Sequence, residues 1–383
     1  MKKITTIGLN TLKGFSAPVF NFTIAVLGIK FFGKDDWGIW INLMLWIAFV
    51  AFISNWGNRE FVIRKYAGQP SQLYSIFYTN FFSRSLLLLP SILFFFFFSI
   101  QIAFYAMTLV ILIYLFSSLD SLVVYHQKFG AQLIAEIIGF VVIIGGLWVL
   151  KKFDPLLVLQ FFCLAYLLKN MILVFALNLF REKISFDFSL NEISDSVPFF
   201  LIGFSGWLQS KADIYLVSYF LPNSQLSEYQ LLITAFLMLR AIAAFMLIPF
   251  TKHIFRLQPQ NIKNLKRLLT YSALPIVAFG TFCIYIVLEK IVGLNIDWSI
   301  YILGGLSSLP YYFFAIDIME FYKKKEEKKV MKLIFTGAFF NIFLIVLLID
   351  KYQIHGVFMA ICLTQLLMLF LYKNYTSTTV SKV

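Results

Sequence analysis

The sequence predicts an all-α integral membrane protein. Of its 383 residues, 60% are hydrophobic and only 13% are charged, whereas soluble globular chains carry about 25% charged residues. The apolar residues form long blocks without the alternation of β-strands, and about 20 such residues suffice for a helix to cross a bilayer. Lysine and arginine lie mostly between the blocks, on alternate sides of the predicted membrane. Together these observations predict a polytopic helical protein.

The apolar blocks predict about 12 transmembrane helices joined by short connections. The predicted spans are residues 9–32, 37–55, 73–98, 101–123, 130–150, 155–180, 197–220, 226–249, 268–292, 298–320, 331–349 and 354–372. No segment outside them is long enough to bury a core of its own. We therefore expect a chain that lies almost entirely within the membrane.

The basic residues predict the orientation of the chain, because cytoplasmic loops are enriched in lysine and arginine. With the N-terminus inside, the predicted outer segments hold only Lys30, Lys34, Lys151, Lys152, Lys290 and Lys351. We expect both termini to be cytoplasmic. The net charge of +13 is then explained by topology and by attraction to anionic membrane lipids, so we expect no nucleic-acid partner.

The longest connection, residues 181–196, separates the first six predicted spans from the last six. Its apolar residues alternate with polar ones, and we expect it to lie on the inner membrane surface. The sequence therefore predicts an N-terminal six-helix lobe over residues 1–180, a cytoplasmic linker over 181–196, and a C-terminal six-helix lobe over 197–383.

The span at residues 197–220 carries the most unusual pattern. Ser205, Gln209 and Asp213 follow one another at intervals of four residues, so they share one helical face. Lys211 lies two residues from Asp213 and points elsewhere. Charged side chains at this depth are costly in a bilayer and mark a functional site by default. A buried hydrogen-bonded seam and a wet cavity are both open interpretations of this stripe.

Other charged side chains fall inside predicted spans of both lobes. The intramembrane cations are Arg84, Lys169, Lys211 and Arg240. The intramembrane acids are Asp120, Glu136 and Asp213. The cations can pair with the acids as structural salt bridges. They can also line a cavity for an anionic substrate, because arginine and lysine are the usual partners of phosphate. The acids are then candidates for coupling transport to an ion.

Motifs of catalysis and of metal binding are absent from the sequence. It contains no Gly-rich phosphate loop, no G-x-S-x-G elbow and no H-E-x-x-H motif. The three cysteines lie far apart inside apolar blocks, and the three histidines lie at the ends of different segments, so we expect no disulfide and no metal site. We predict a transporter without catalytic residues and without a cofactor, although proton or sodium coupling is open.

Three stretches resemble one family of exporters. The first holds an LG…FG turn, a Gly near the end of span two and a following basic segment; its residues are Leu27, Gly28, Phe32, Gly33, Trp37, Gly38, Gly57 and Arg64. The second is a span seven–eight hairpin with Asp213 and Tyr229, where Glu228 replaces the usual Gly. The third is the start of a late span at Gly356. Their order resembles that of the Wzx-like polysaccharide flippases of the multidrug/oligosaccharidyl-lipid/polysaccharide (MOP) exporter superfamily.

This resemblance implies a MOP/MATE-like fold of two six-helix bundles around a central cavity that opens alternately to each side. It implies a cargo of undecaprenyl-diphosphate-linked oligosaccharide, moved from the cytoplasmic to the outer leaflet of a bacterial plasma membrane. It also implies a role in O-antigen, capsule or exopolysaccharide assembly, with polymerase and chain-length proteins as partners. The cationic side chains would compensate the diphosphate, which cannot cross hydrocarbon alone.

Two other functions are open from the sequence. A drug/cation antiporter of the same superfamily would favour a cavity dominated by acids, whereas four intramembrane cations occur here. A membrane enzyme of glycan assembly, such as a polymerase, would carry a large catalytic outer loop, and the predicted outer segments are short.

Overall fold

A computed structural model describes residues 2–179, 187–247, 259–323 and 326–380. The regular structure of these ranges is helical. The helices are α1 (Lys2–Phe32), α2 (Lys34–Asn55), α3 (Asn58–Gly68), α4 (Leu73–Arg84), α5 (Phe94–Phe97), α6 (Ile100–His126), α7 (Phe129–Val149), α8 (Pro155–Ala176), α9 (Asn191–Phe220), α10 (Asn223–Leu247), α11 (Pro259–Tyr285), α12 (Trp298–Lys323) and α13 (Glu327–Val380).

Within the described ranges, nine helical segments are long and apolar enough to cross a membrane. The predicted spans 331–349 and 354–372 both lie on α13, which is kinked at Gln353. The predicted span 197–220 lies on α9, which is not among the nine because its polar stripe lowers its hydropathy. Large apolar side chains face outward, including Phe96 at 79% exposure and Trp148 at 77%. These features confirm the predicted all-α, multi-pass membrane protein.

The first helical hairpin is built around a glycine–tryptophan contact. The chain turns between α1 and α2 at Gly33, whose φ of 88° favours glycine. Asp35 and Asp36 occupy the first turn of α2, where negative charge stabilises a helix dipole. A Cβ atom on Gly28 would lie 2.3 Å from the ring of Trp37. The LG…FG motif therefore supplies the turn and the close packing of this hairpin.

The third span is not a regular helix. After α4 the chain continues through the 3₁₀ segment Ser85–Leu93, which contains Pro90, and then through the single turn of α5. Proline lacks an N–H and clashes with the preceding turn, which disfavours α-helix at this point. A 3₁₀ segment has about three residues per turn instead of 3.6, so the side chains after Arg84 lie on different faces from those that a regular α-helix would give.

The chain divides into two compact units, the first ending at Phe204 and the second beginning at Ser205, within α9. In the first unit α6 packs against α2 and α8, and α7 packs against α1 and α8. In the second unit α12 packs against α10, α11 and α13. Residues 181–186 of the predicted linker lie outside the described residues. The predicted lobes 1–180 and 197–383 stay a prediction.

Candidate functional site

The second unit contains a small polar cavity among its membrane helices. Its volume is about 30 Å³, which is room for about one water molecule. The lining residues are Gln209, Ser210, Asp213, Ile233, Leu237, Arg240, Asn341, Ile361, Thr364 and Gln365. The cavity thus combines two of the predicted site residues, Asp213 and Arg240.

Asp213 lies in this cavity with both carboxylate oxygens engaged. The Tyr229 hydroxyl of α10 donates a 2.5 Å hydrogen bond to Oδ2, and the backbone N–H of Ile214 donates to Oδ1 at 2.8 Å. The side chain of Asp213 is buried. Gln209 lines the same cavity one turn earlier, as expected for residues four apart on a helix. Part of the predicted polar stripe therefore faces this cavity.

Arg240 brings a positive charge to the same cavity. Its Nη2 donates to the Ser307 hydroxyl at 2.8 Å, and that hydroxyl donates to the carbonyl of Gly304. The Nε of Arg240 is buried without a partner among the described residues. In a medium of low dielectric constant, opposite charges lining one cavity, such as Asp213 and Arg240, stabilise each other strongly.

The kinked helix α13 supplies the remaining polar groups. The Thr364 hydroxyl donates to the Asn341 Oδ1 at 3.3 Å, so the two arms of α13 meet at the cavity. Gln365 is only 9% exposed, and its Oε1 has no partner in the described part of the chain. Buried polar groups without partners are costly. Water or another polar ligand in the cavity would satisfy both Gln365 and Arg240.

Lys211 lies on α9 two residues before Asp213, with which it interacts electrostatically. Its side chain is exposed, whereas that of Asp213 is buried. It makes no hydrogen bond or ion pair with any residue that the structure describes. Among the four predicted cations, Lys211 therefore has the most exposed side chain.

Arg84 is enclosed in the first unit and is only 1% exposed. Its Nη1 donates to the carbonyls of Ser54 and Asn55, at 3.2 and 3.0 Å, at the C-terminal end of α2. Its Nε donates to Asn80 at 2.8 Å and its Nη2 to Ser118 at 3.0 Å. Cations stabilise the C-terminal ends of helices. The guanidinium therefore caps α2 and ties it to α4 and α6.

Lys169 forms an ion pair with Glu136, 2.7 Å from Nζ to Oε2, between α8 and α7. Its ammonium lies 4.6 Å from the centre of the Tyr166 ring, which is a cation–π distance. A Cβ atom on Gly139 would lie 2.1 Å from the Lys169 side chain, so this glycine makes room for it. The structure brings two predicted site residues together here as an ion pair, with Lys169 buried and Glu136 partly buried.

Asp120 is held by two side chains of the first unit. Gln132 donates to its Oδ1 at 2.8 Å, and the Arg59 Nε lies 3.3 Å from its Oδ2. Of the three predicted acids, Asp120 and Glu136 are thus paired with cations, whereas Asp213 is held by a hydroxyl and a backbone amide. The predicted substrate and coupling roles of these residues stay predictions.

The sequence reasoning missed four polar residues of the cavity, namely Ser210, Asn341, Thr364 and Gln365, and also missed Ser307, which accepts a hydrogen bond from Arg240. Each is a polar side chain inside an apolar span, which is the signal that could have found it. Within the described residues, no group of three His, Cys, Asp or Glu side chains could hold a metal ion.

No protein-family model and no curated protein matches the chain. Among solved structures, an inward closed conformation of the lipid II flippase MurJ aligns with a TM-score of 0.74. The alignment covers 96% of this chain and 87% of the flippase, at 16% sequence identity. A MOP superfamily transporter from Pyrococcus furiosus aligns with a TM-score of 0.44 and 10% identity, over 98% of this chain and 93% of the transporter. Over nearly its whole length, the chain therefore shares the fold of the lipid II flippase MurJ.

Proposed function

We propose that the chain is a MOP-superfamily flippase that moves undecaprenyl-diphosphate-linked oligosaccharide from the cytoplasmic to the outer leaflet. The observation that carries this proposal is the fold shared with a lipid II flippase over 96% of the chain. The sequence motifs that resemble polysaccharide flippases support the same substrate class. The setting is a bacterial plasma membrane, with both termini in the cytoplasm, and the products are O-antigen, capsule or exopolysaccharide.

The four intramembrane cations have different roles in this proposal. Arg84 and Lys169 are engaged by groups of the first unit, so they maintain its shape. Lys211 is exposed and forms no ion pair or hydrogen bond within the described residues, and a cation at the centre of a membrane helix costs about 3 kcal/mol. A phosphate of the substrate would compensate that charge. We assign substrate contact first to Lys211 and second to Arg240.

Ion coupling is best assigned to Asp213. Glu136 and Asp120 each have a cationic partner, which favours a fixed charge. Asp213 lines a polar cavity whose Arg240 Nε and Gln365 Oε1 have no described partner. A proton or a sodium ion arriving at Asp213 would change the charge balance of that cavity.

The decisive experiment is deletion of the gene in the native host, followed by location of the lipid-linked glycan. We expect the precursor to accumulate in the inner leaflet and the surface glycan to disappear. The wild-type gene should restore export, Lys211→Ala should lower it about tenfold or more, and Lys211→Arg should retain most of it, because one charge-assisted hydrogen bond contributes about 1.5–3 kcal/mol.

Lys290→Ala is the matched control, because Lys290 is an exposed lysine of a predicted outer segment. It should export like the wild type. Normal leaflet distribution of the precursor after deletion would refute the flippase proposal. Normal export by Lys211→Ala would refute only the assigned site.

A further inference from the structure

The first unit contains a second, larger cavity that the proposed mechanism does not use. This groove has a volume of about 420 Å³ and opens to one side. It lies where α3 ends and α4 begins, against the start of α9. Its lining residues are Lys65, Gly68, Gln69, Gln72, Ser75, Ile76, Thr79 and Glu192. Small-molecule pockets are commonly about 300–1,000 Å³ in volume, so the groove is large enough for a ligand.

The charges of the groove cancel each other. Lys65 Nζ lies 2.5 Å from Glu192 Oε1, and the amide of Asn80 donates to Glu192 Oε2 at 3.1 Å. Asn80 is also the acceptor for Arg84, so the pair belongs to the buried network that holds α2. An anionic ligand would meet the Glu192 carboxylate, and a cationic ligand would meet Lys65. The groove therefore favours a neutral ligand.

The other polar groups of the groove are available for hydrogen bonding. The side chains of Gln69, Gln72, Ser75 and Thr79 make no hydrogen bond with any described residue. Helical hydroxyls usually donate to a carbonyl of the preceding turn. The hydroxyls of Thr23, Thr108, Thr234 and Thr336 do so in this chain.

These four groups form one continuous surface. Ser75 and Thr79 lie four residues apart on one face of α4. Gln72 is the residue immediately before α4, and Gln69 precedes it by three residues. Amide and hydroxyl groups each offer both a donor and an acceptor. Such a surface matches a ligand that also carries many donors and acceptors without charge.

We propose that this groove binds a neutral sugar residue of the transported glycan. The identification of the sugar as part of the transported glycan rests on the proposed function. The inference that the ligand is neutral and rich in hydroxyl groups rests on the residues of the groove alone. The groove lies at the start of the span Pro70–Phe97, the end that the basic residues predict to be cytoplasmic. A glycan on a membrane-embedded carrier lies at this depth before transport.

The test is saturation-transfer NMR on the purified protein in lipid nanodiscs, with glucose and N-acetylglucosamine as probes. Wild-type protein should transfer saturation to the sugar protons. The double variant Gln72→Ala/Thr79→Ala should bind about tenfold more weakly, because it loses two hydrogen bonds. Ser71→Ala, an exposed neighbour outside the groove, should bind like the wild type. If the double variant does not fold, Gln69→Ala replaces it, with a smaller loss expected.

Equal saturation transfer in the wild type and the groove variants, or none in either, would overturn the proposal. Binding of inorganic pyrophosphate in place of the sugars would also overturn it, because the groove would then select anions. The assay requires no transport. Sugar binding by the purified protein, together with a normal precursor distribution in the deletion strain, would refute the flippase proposal but support the sugar-binding groove. Loss of glycan export on deletion, without sugar binding by the purified protein, would support the flippase proposal but refute the sugar-binding groove.

Discussion

Arg84 acts in the first unit through its contacts with the end of α2. Its position inside a span and its charge were visible in the sequence, and both favoured a role in substrate binding. Its partners are two backbone carbonyls of another helix, an amide and a hydroxyl. Every residue has a backbone carbonyl, so the pattern of side chains does not show which carbonyls accept a hydrogen bond. The sequence therefore located the arginine but not its partners.

Arg84→Ala should therefore lower stability, because it leaves the Ser54 and Asn55 carbonyls and the Asn80 amide without a donor. We expect a loss of about 1–3 kcal/mol for each group left unpaired, measured as a lower thermal unfolding midpoint in detergent. Arg267→Ala, at an exposed position, should unfold like the wild type. If Arg84→Ala retains full stability but abolishes the proposed export, then Arg84 contacts the substrate.

At the level of helices, hydropathy predicted most of the spans, because nine helical segments of the described ranges are long and apolar enough to cross a bilayer, whereas α9 is not among them. It did not predict the 3₁₀ segment Ser85–Leu93 or the continuity of α13 through two predicted spans. These features depend on local backbone geometry, to which hydropathy is insensitive. The cavity at Asp213 depends on which faces of α9, α10 and α13 meet. Of its lining residues, Gln209, Asp213 and Arg240 were found from the sequence.

The α7–α8 contact provides a prediction for a pair of residues. Lys169→Met and Glu136→Leu should each destabilise the protein by about 3–5 kcal/mol, because each leaves a buried charge alone. The double variant should recover most of this loss, because two apolar side chains then face each other. A double-mutant cycle on thermal unfolding measures the coupling. Additive losses would show that the two side chains do not interact.

The kink in α13 provides a second prediction at this scale. Gln353 has φ of 49° and ψ of −133°, a backbone conformation that strongly favours glycine and costs other residues about 1–3 kcal/mol. Gln353→Gly should therefore preserve or raise the unfolding midpoint, even though it removes the hydrogen bond from Gln225. Gln225→Ala measures that bond separately. A lower midpoint for Gln353→Gly than for Gln225→Ala would contradict this expectation.

For the whole molecule, the distribution of basic residues predicts which ends of the helices face the cytoplasm. The side chain of Asp297 is 62% exposed between α11 and α12, and that of Lys329 is 44% exposed at the start of α13. The first belongs to a predicted outer segment and the second to a predicted inner one. The two positions therefore test the orientation at opposite ends of α12.

In a variant without the three native cysteines, Asp297→Cys should react with a membrane-impermeant maleimide in intact cells. Lys329→Cys should react only after lysis, because the bilayer shields it. The maleimide-labelled fraction before and after lysis is the measurement. The opposite pattern would invert the predicted topology.

The contact between Gly28 and Trp37 also has an evolutionary consequence. Because a Cβ atom on Gly28 would lie 2.3 Å from the Trp37 ring, neither position can change freely while the other is kept. Among homologous chains, a larger residue at position 28 should accompany a smaller residue at position 37. The two positions should therefore covary, and their pairing would record a steric constraint on the first hairpin that is independent of any cargo.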